Sequence, residues 1–190
     1  MQIRWKCGVL LPCLVVAGWL LAAHESRAER SSRPEAERQP ATPASRASEL
    51  LPDEPQNAAT AALEEDVFAR INQLREDEGL KPLRFDRPLA AVARGFSRKM
   101  AVENFFSHEA PSGETFEDRI RKSRIEFSRI GENIYKCTNL PKPAESAVKA
   151  WLNSPGHRHN LLTVEYTETG IGVWKQGKTY YFTQDFIRPR

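Results

Sequence analysis

The segment TGIGVWKQGKTYYFTQDF, residues 169–186, constrains the fold more than any other stretch of the chain. It reads as two β-rich runs joined by Lys175-Gln176-Gly177-Lys178, which is a hairpin pattern. Within the first run Gly170 and Gly172 alternate with Ile171 and Val173. One face of that strand is therefore bare backbone, and another element should pack closely against it.

Upstream the period is helical. ALEEDVFARINQLREDEG places Leu63, Val67, Ile71 and Leu74 at helical spacing with Phe68 beside them, and Gly79 is a natural stop. FDRPLAAVARGFSRKMA offers Asp86 as a cap and Pro88 in the first turn. Leu89, Val92, Ala93, Phe96 and Met100 then form one apolar stripe. A short helix should begin near Thr115, with Asp118 three residues on and Phe116 and Ile120 on one face. PAESAVKAWLN should bury Ala147, Val148 and Trp151, and RIGENIY, from Arg129, is a further candidate strand. Helices first and a hairpin last predict an α+β layered domain with antiparallel pairing.

The N-terminus has a different character. Arg4 and Lys6 precede an uncharged apolar run from Cys7 to Ala23, and Ser26-Arg27-Ala28 is a small-x-small cleavage pattern. Residues 1–28 are therefore expected to act as a signal peptide or, uncleaved, as an anchor through residues 7–23. Residues 29–60 hold five prolines and no aromatic residue, a composition that cannot bury enough apolar surface to offset chain entropy. A disordered linker is expected there and a folded domain over 61–190. With the leader removed, Cys137 is the only cysteine, so the domain should be free of disulfides. About 130 residues suffice for a core without such staples. Cys137 itself reads as a small buried hydrophobe.

Charge excludes one class of partner. The net charge is only +3 at pH 7, and basic residues are spread along the chain. The densest group, Arg119 to Arg129, is interrupted by Glu126, so no nucleic acid partner is expected.

Three polar positions stand out: His108 in FFSHEAPSG, Glu132 in GENI and His157 in SPGHRHN. Their wide separation suits a site assembled by folding. Two imidazoles beside a carboxylate could hold a divalent metal such as zinc on His108 and His157, leaving a position for water. They could equally form a hydrogen-bonded acid/base pair. Cys137 and Ser107 permit hydrolase schemes on paper, but spacing assigns no catalytic residue. A metal-activated water is the better enzymatic option.

Five pieces in order resemble one family: INQLREDEGLKPLRFDRPLAAVARGFSRKMA, FFSHEAPSGETFEDRI, GENI, AVKAWLNSPGHRHNLL and TETGIGVWKQGKTYYFTQDF. The pattern is similar to the CAP superfamily of cysteine-rich secretory proteins, antigen 5 and pathogenesis-related 1 proteins, in its bacterial, disulfide-free SCP-domain form. The resemblance implies a three-layer α-β-α sandwich with a central antiparallel sheet. It also implies a cleft into which His108, Glu132 and His157 face. Eukaryotic members add a glutamate shortly after the helix tryptophan. Here Leu152, Asn153, Ser154 and Pro155 follow Trp151 instead, which removes an anionic group from any metal site.

His159 lies two residues from His157 and should point away from it on a helical turn. Arg158 is expected in an ion pair, Asn133 in a structural role, and Gln184 and Asp185 as buried supports of the cleft. The function implied is that of an exported binding protein, secreted, periplasmic or held at the cell surface. Its ligand would be a lipid, a cell-surface component or a protein, and contact with membrane would be confined to an uncleaved N-terminus. A metal-dependent extracytoplasmic hydrolase using His108, Glu132 and His157 is the alternative.

Overall fold

The computed structural model describes residues 54–190. The leader and most of the linker lie outside the described residues. Helix α1 spans Ala58–Asp77, so the folded part begins inside the stretch assigned to the linker. The reason is local. Asn57 accepts a hydrogen bond from the Thr60 backbone while the Thr60 hydroxyl accepts from the Asn57 backbone, a capping box hidden in a small-residue run. Among the described residues, no helix is long and apolar enough to cross a membrane.

The remaining elements are β1 (Arg84–Phe85), α2 (Arg87–Val102), α3 (Phe116–Lys122), β2 (Arg129–Thr138), α4 (Pro143–Leu152), α5 (Pro155–Leu162), β3 (Glu168–Gln176) and β4 (Thr179–Arg188). The hairpin falls where the sequence places it. Gly177 takes φ +59°, a left-handed turn position that glycine adopts at little cost. Asp86 caps α2, and Thr115 with Asp118 forms the capping box of α3. In SPGHRHN, Pro155 starts a short helix that runs through both histidines.

The sheet order is β1-β3-β4-β2. β2, β3 and β4 pair antiparallel, while two-residue β1 pairs parallel with β3 as the chain enters α2. Side chains alternate between two faces. Ile171, Val173, Phe182 and Phe186 pack with Val67 and Ile71 of α1, Trp151 of α4 and Leu161 of α5. On the opposite face Ile187 packs with Leu89 and Val92 of α2 and Ile120 of α3. Tyr181 and Ile134 pack there with Phe96 and Met100 of α2. The result is the expected α+β sandwich of three layers.

Gly170 and Gly172 sit under α2. A Cβ at either would lie inside 3.0 Å of helix backbone, at Leu89–Ala90 and at Ala93–Arg94 respectively. Beyond β1 the outer edge of β3 is closed by side chains instead of a strand. Val173 N donates to Glu64 and Lys175 N to Gln56, each at 3.0 Å. Glu64 also accepts from the buried Arg94 of α2, so one carboxylate ties both helix layers to the sheet edge.

Candidate functional site

The site lies along β2, at the sheet end opposite β1. Glu132 points to the α2–α3 face with its side chain 3% exposed. Its Oε1 accepts from His108 Nδ1 at 2.8 Å, and its Oε2 accepts from Arg119 Nη2 at 2.6 Å. His108 comes from the loop between α2 and α3, and its side chain is 54% exposed. With a carboxylate opposite, Nδ1 carries the donated proton, which leaves Nε2 as the free ring nitrogen.

Arg119 organises this corner. Its Nη1 donates to the His108 carbonyl at 3.1 Å, and its guanidinium carbon lies 3.3 Å from the Phe96 ring centroid. One side chain thus fixes both the carboxylate and the loop that carries the imidazole. Arg119 was missed as a functional residue in the sequence. Arg119 lies three residues after Phe116, one turn on along α3, but the surrounding basic residues hide which cation turns inward.

His157 arrives from the other face. Asn133 Nδ2 donates to the His157 carbonyl at 3.2 Å. Asn160 Nδ2 donates to the Glu132 carbonyl at 3.2 Å and to Asn133 Oδ1 at 2.9 Å. Asn133 therefore has the structural role expected of it, and Asn160 is its unanticipated partner. The far end of α5 is pinned by buried Arg75, whose Nη1 donates to the carbonyls of Leu161 at 2.7 Å and Thr163 at 3.1 Å. These anchors bring the His157 ring to 6.4 Å, centroid to centroid, from that of His108. Gly131 clears the way, because a Cβ there would fall inside 3.0 Å of the Tyr166 ring and hydroxyl.

Half-burial, and secondarily His108, lowers the affinity of His157 for a proton. The folded protein thus prefers neutral His157. Compared with a His157→Gln variant, stability should be fully retained above the ordinary value of 6.5. It should fall as pH drops below that value, because the unfolded chain takes up a proton that the folded chain resists. Urea unfolding of both proteins across this range checks the prediction, and parallel pH profiles would refute it.

Other polar candidates fall elsewhere. His159 is exposed, and Arg158 pairs with Glu78 at 2.9 Å. Cys137 lies in the α1–α4 core, and burial raises its thiol pKa. Such a thiol is a poor nucleophile. The Ser107 hydroxyl accepts from Glu109 N and bonds neither imidazole. Gln184 and Asp185 are fully buried in β4, Gln184 donating to Thr169.

The arrangement bears on a metal directly. Both Glu132 oxygens are already bonded, which leaves the two imidazoles as direct ligands. Among the described residues, no group of three or more His, Cys, Asp or Glu side chains is placed to hold an ion. A catalytic zinc centre takes three protein ligands, so this ligand set does not fit one and no step is derived through a metal.

Comparison with known proteins agrees with the fold. The profile of the CAP group, described as the cysteine-rich secretory protein family, matches residues 68–186. The Bacillus subtilis protein YkwD is 37% identical over 130 residues, covering 68% of this chain and 49% of YkwD. The Bacillus subtilis membrane protein YlbC is 38% identical over 126 residues, covering 66% of this chain and 34% of YlbC. The chain thus spans half or less of these two relatives. A crystal structure of an extracellular SCP-domain protein from Bacillus anthracis superposes with TM-score 0.62 at 33% identity, covering 71% of this chain and 45% of that one.

Proposed function

The chain belongs to the cysteine-rich secretory protein family, and from the cleft along β2 we propose that it is an exported binding module rather than a hydrolase. One observation carries the reading. His108 and His157 stand side by side, His108 held through Nδ1 by Glu132 with its Nε2 free, and neither Ser107 nor Cys137 is bonded to them. A rigid carboxylate–imidazole pair at an open edge can donate and accept hydrogen bonds to a docked surface without performing chemistry on it. The ligand is a lipid, a cell-surface component or a protein. Export is supported by the basic and apolar N-terminus, and by relatives described as extracellular and as a membrane protein.

The test uses purified full-length protein and bacterial cell envelopes. Saturable binding is expected, weakened at least tenfold by His108→Ala and by His157→Ala with thermal stability kept. Hydrolysis of a peptide or ester that disappears in Glu132→Ala, with the fold intact, would overturn the reading.

A metal-dependent hydrolase is the second reading, favoured by the Glu132–His108 bond. Carboxylates commonly orient metal-bound histidines in this way. Two imidazoles carry this less far than three ligands would. Failure of the full-length protein to bind zinc at micromolar concentration would remove it.

A further inference from the structure

Among the described residues, four buried side-chain atoms lack a hydrogen-bond partner: Arg119 Nε, Gln184 Oε1 and both carboxyl oxygens of Asp185. Buried polar atoms are almost always paired, so a carboxyl with neither oxygen bonded requires an explanation. Asp185 is fully buried and directly opposite Glu132 in the β2–β4 register. Opposed residues of an antiparallel pair share a face, with Cβ atoms about 5 Å apart. On its other side Asp185 faces Gly170 of β3, which has no side chain.

The charged groups around it are few. Glu132 comes from β2 and Arg119 from α3. Helix α2 covers this face with Leu89, Val92 and Phe96, while its cations are directed elsewhere. Arg87 is exposed at the helix start, Arg94 bonds Glu64, Lys99 pairs with Glu103, and Arg98 lies over Trp174. Two carboxyls thus face one guanidinium, whose donated bonds go to Glu132 and the His108 carbonyl.

We propose that Glu132 and Asp185 form a two-carboxyl, one-proton pair beneath the cleft, with Arg119 as their shared cation and the proton resting on Asp185. An ionised carboxylate with no donor cannot be held in this interior, whereas a neutral carboxyl can. Burial first, and the neighbouring Glu132 second, push the Asp185 pKa well above the usual carboxylate range, against a smaller opposing pull from Arg119. The pair links the cleft's charge to a proton. A cationic group drawn to the Glu132 carboxylate frees Arg119 to balance Asp185, which then ionises. This inference stands on the strand register and the hydrogen bonds, and holds whether the cleft binds or catalyses.

Two measurements on the full-length protein decide it. In carbon-13 NMR of side-chain carboxyls, the Asp185 signal should be that of a neutral acid at neutral pH, and should become that of a carboxylate in Glu132→Gln. Second, Asp185→Asn mimics the neutral acid in shape. Relative to this variant, the wild-type unfolding constant should rise tenfold per pH unit, starting near the ordinary aspartate value of about 4. The sign follows because the folded chain keeps a proton that the unfolded chain has lost. In the Glu132→Gln background that slope should fall toward zero. A wild-type Asp185 signal that titrates near 4, or a pH-independent ratio of unfolding constants, overturns the proposal. If Asp185→Asn does not fold, the NMR comparison of wild type with Glu132→Gln decides alone.

Discussion

Replacing Arg119 by methionine is expected to cost about 3–5 kcal/mol of folding stability, the range for removing one partner of a buried ion pair. Both side chains of the Arg119–Glu132 pair are nearly inaccessible. The substitution would leave Glu132 with His108 as its one side-chain partner and Asp185 alongside. It would also release the His108 carbonyl, and with it the loop that carries the imidazole. The variant should therefore lose cleft function in addition to stability. Glu132→Leu introduced into the same chain should recover much of the stability, because an apolar pair of similar volume avoids the stranded charge. Urea unfolding of the four proteins of this cycle provides the measurement. A single-variant cost below about 1 kcal/mol would place the pair in the class of solvent-screened bridges instead.

Gly172→Ala should destabilise by about 2–3 kcal/mol, toward the upper end for overpacking. The added Cβ would meet the backbone of Ala93 and Arg94. A helix backbone cannot change rotamer as a side chain can, so α2 must lift off the sheet. Glu64–Arg94 resists that movement from the edge, and Ser97 resists it through its bonds to the Gly172 carbonyl and the Thr183 hydroxyl. Gly156→Ala in α5 is the control. Nothing lies within 4 Å of a Cβ there, so this change should be neutral or slightly stabilising through helix propensity. Thermal unfolding of both variants tests the contrast, and equal midpoints would refute close packing as the reason for glycine at 172.

Several features of the fold were legible because their causes act over a few residues. Asp86 and Pro88 announce α2, and Thr115 and Asp118 announce α3, through bonds made within one turn. The alternation of Gly170 and Gly172 with Ile171 and Val173 marks a bare strand face whatever covers it. The start of α1 was hidden for the opposite reason. Asn57 and Thr60 lie in a small-residue, proline-flanked run whose composition resembles linker more than helix cap. Helix α5 was hidden because eight residues give little apolar period to read.

Candidate-site residues divide along the same line. His108, Glu132 and His157 were named from an ordered set of motifs, not from any periodicity, and the structure brings the three together. Arg119, Asn160 and the opposition of Asp185 to Glu132 were not visible. Arg119 stands in a cluster of five basic residues, and composition cannot say which of them turns inward.

By itself, then, the sequence determined the helices with strong caps, the terminal hairpin and the glycine face. Capping, backbone freedom and side-chain alternation are settled between neighbours. Tertiary structure alone decided which charges are buried together. Arg119 and Glu132 lie 13 residues apart, and His108 and Glu132 lie 24 apart. Asp185 reaches Glu132 only through the register of two strands. Pairs at such separations form when packing removes water from between them. Their partners are chosen by which faces meet, a property no local segment carries.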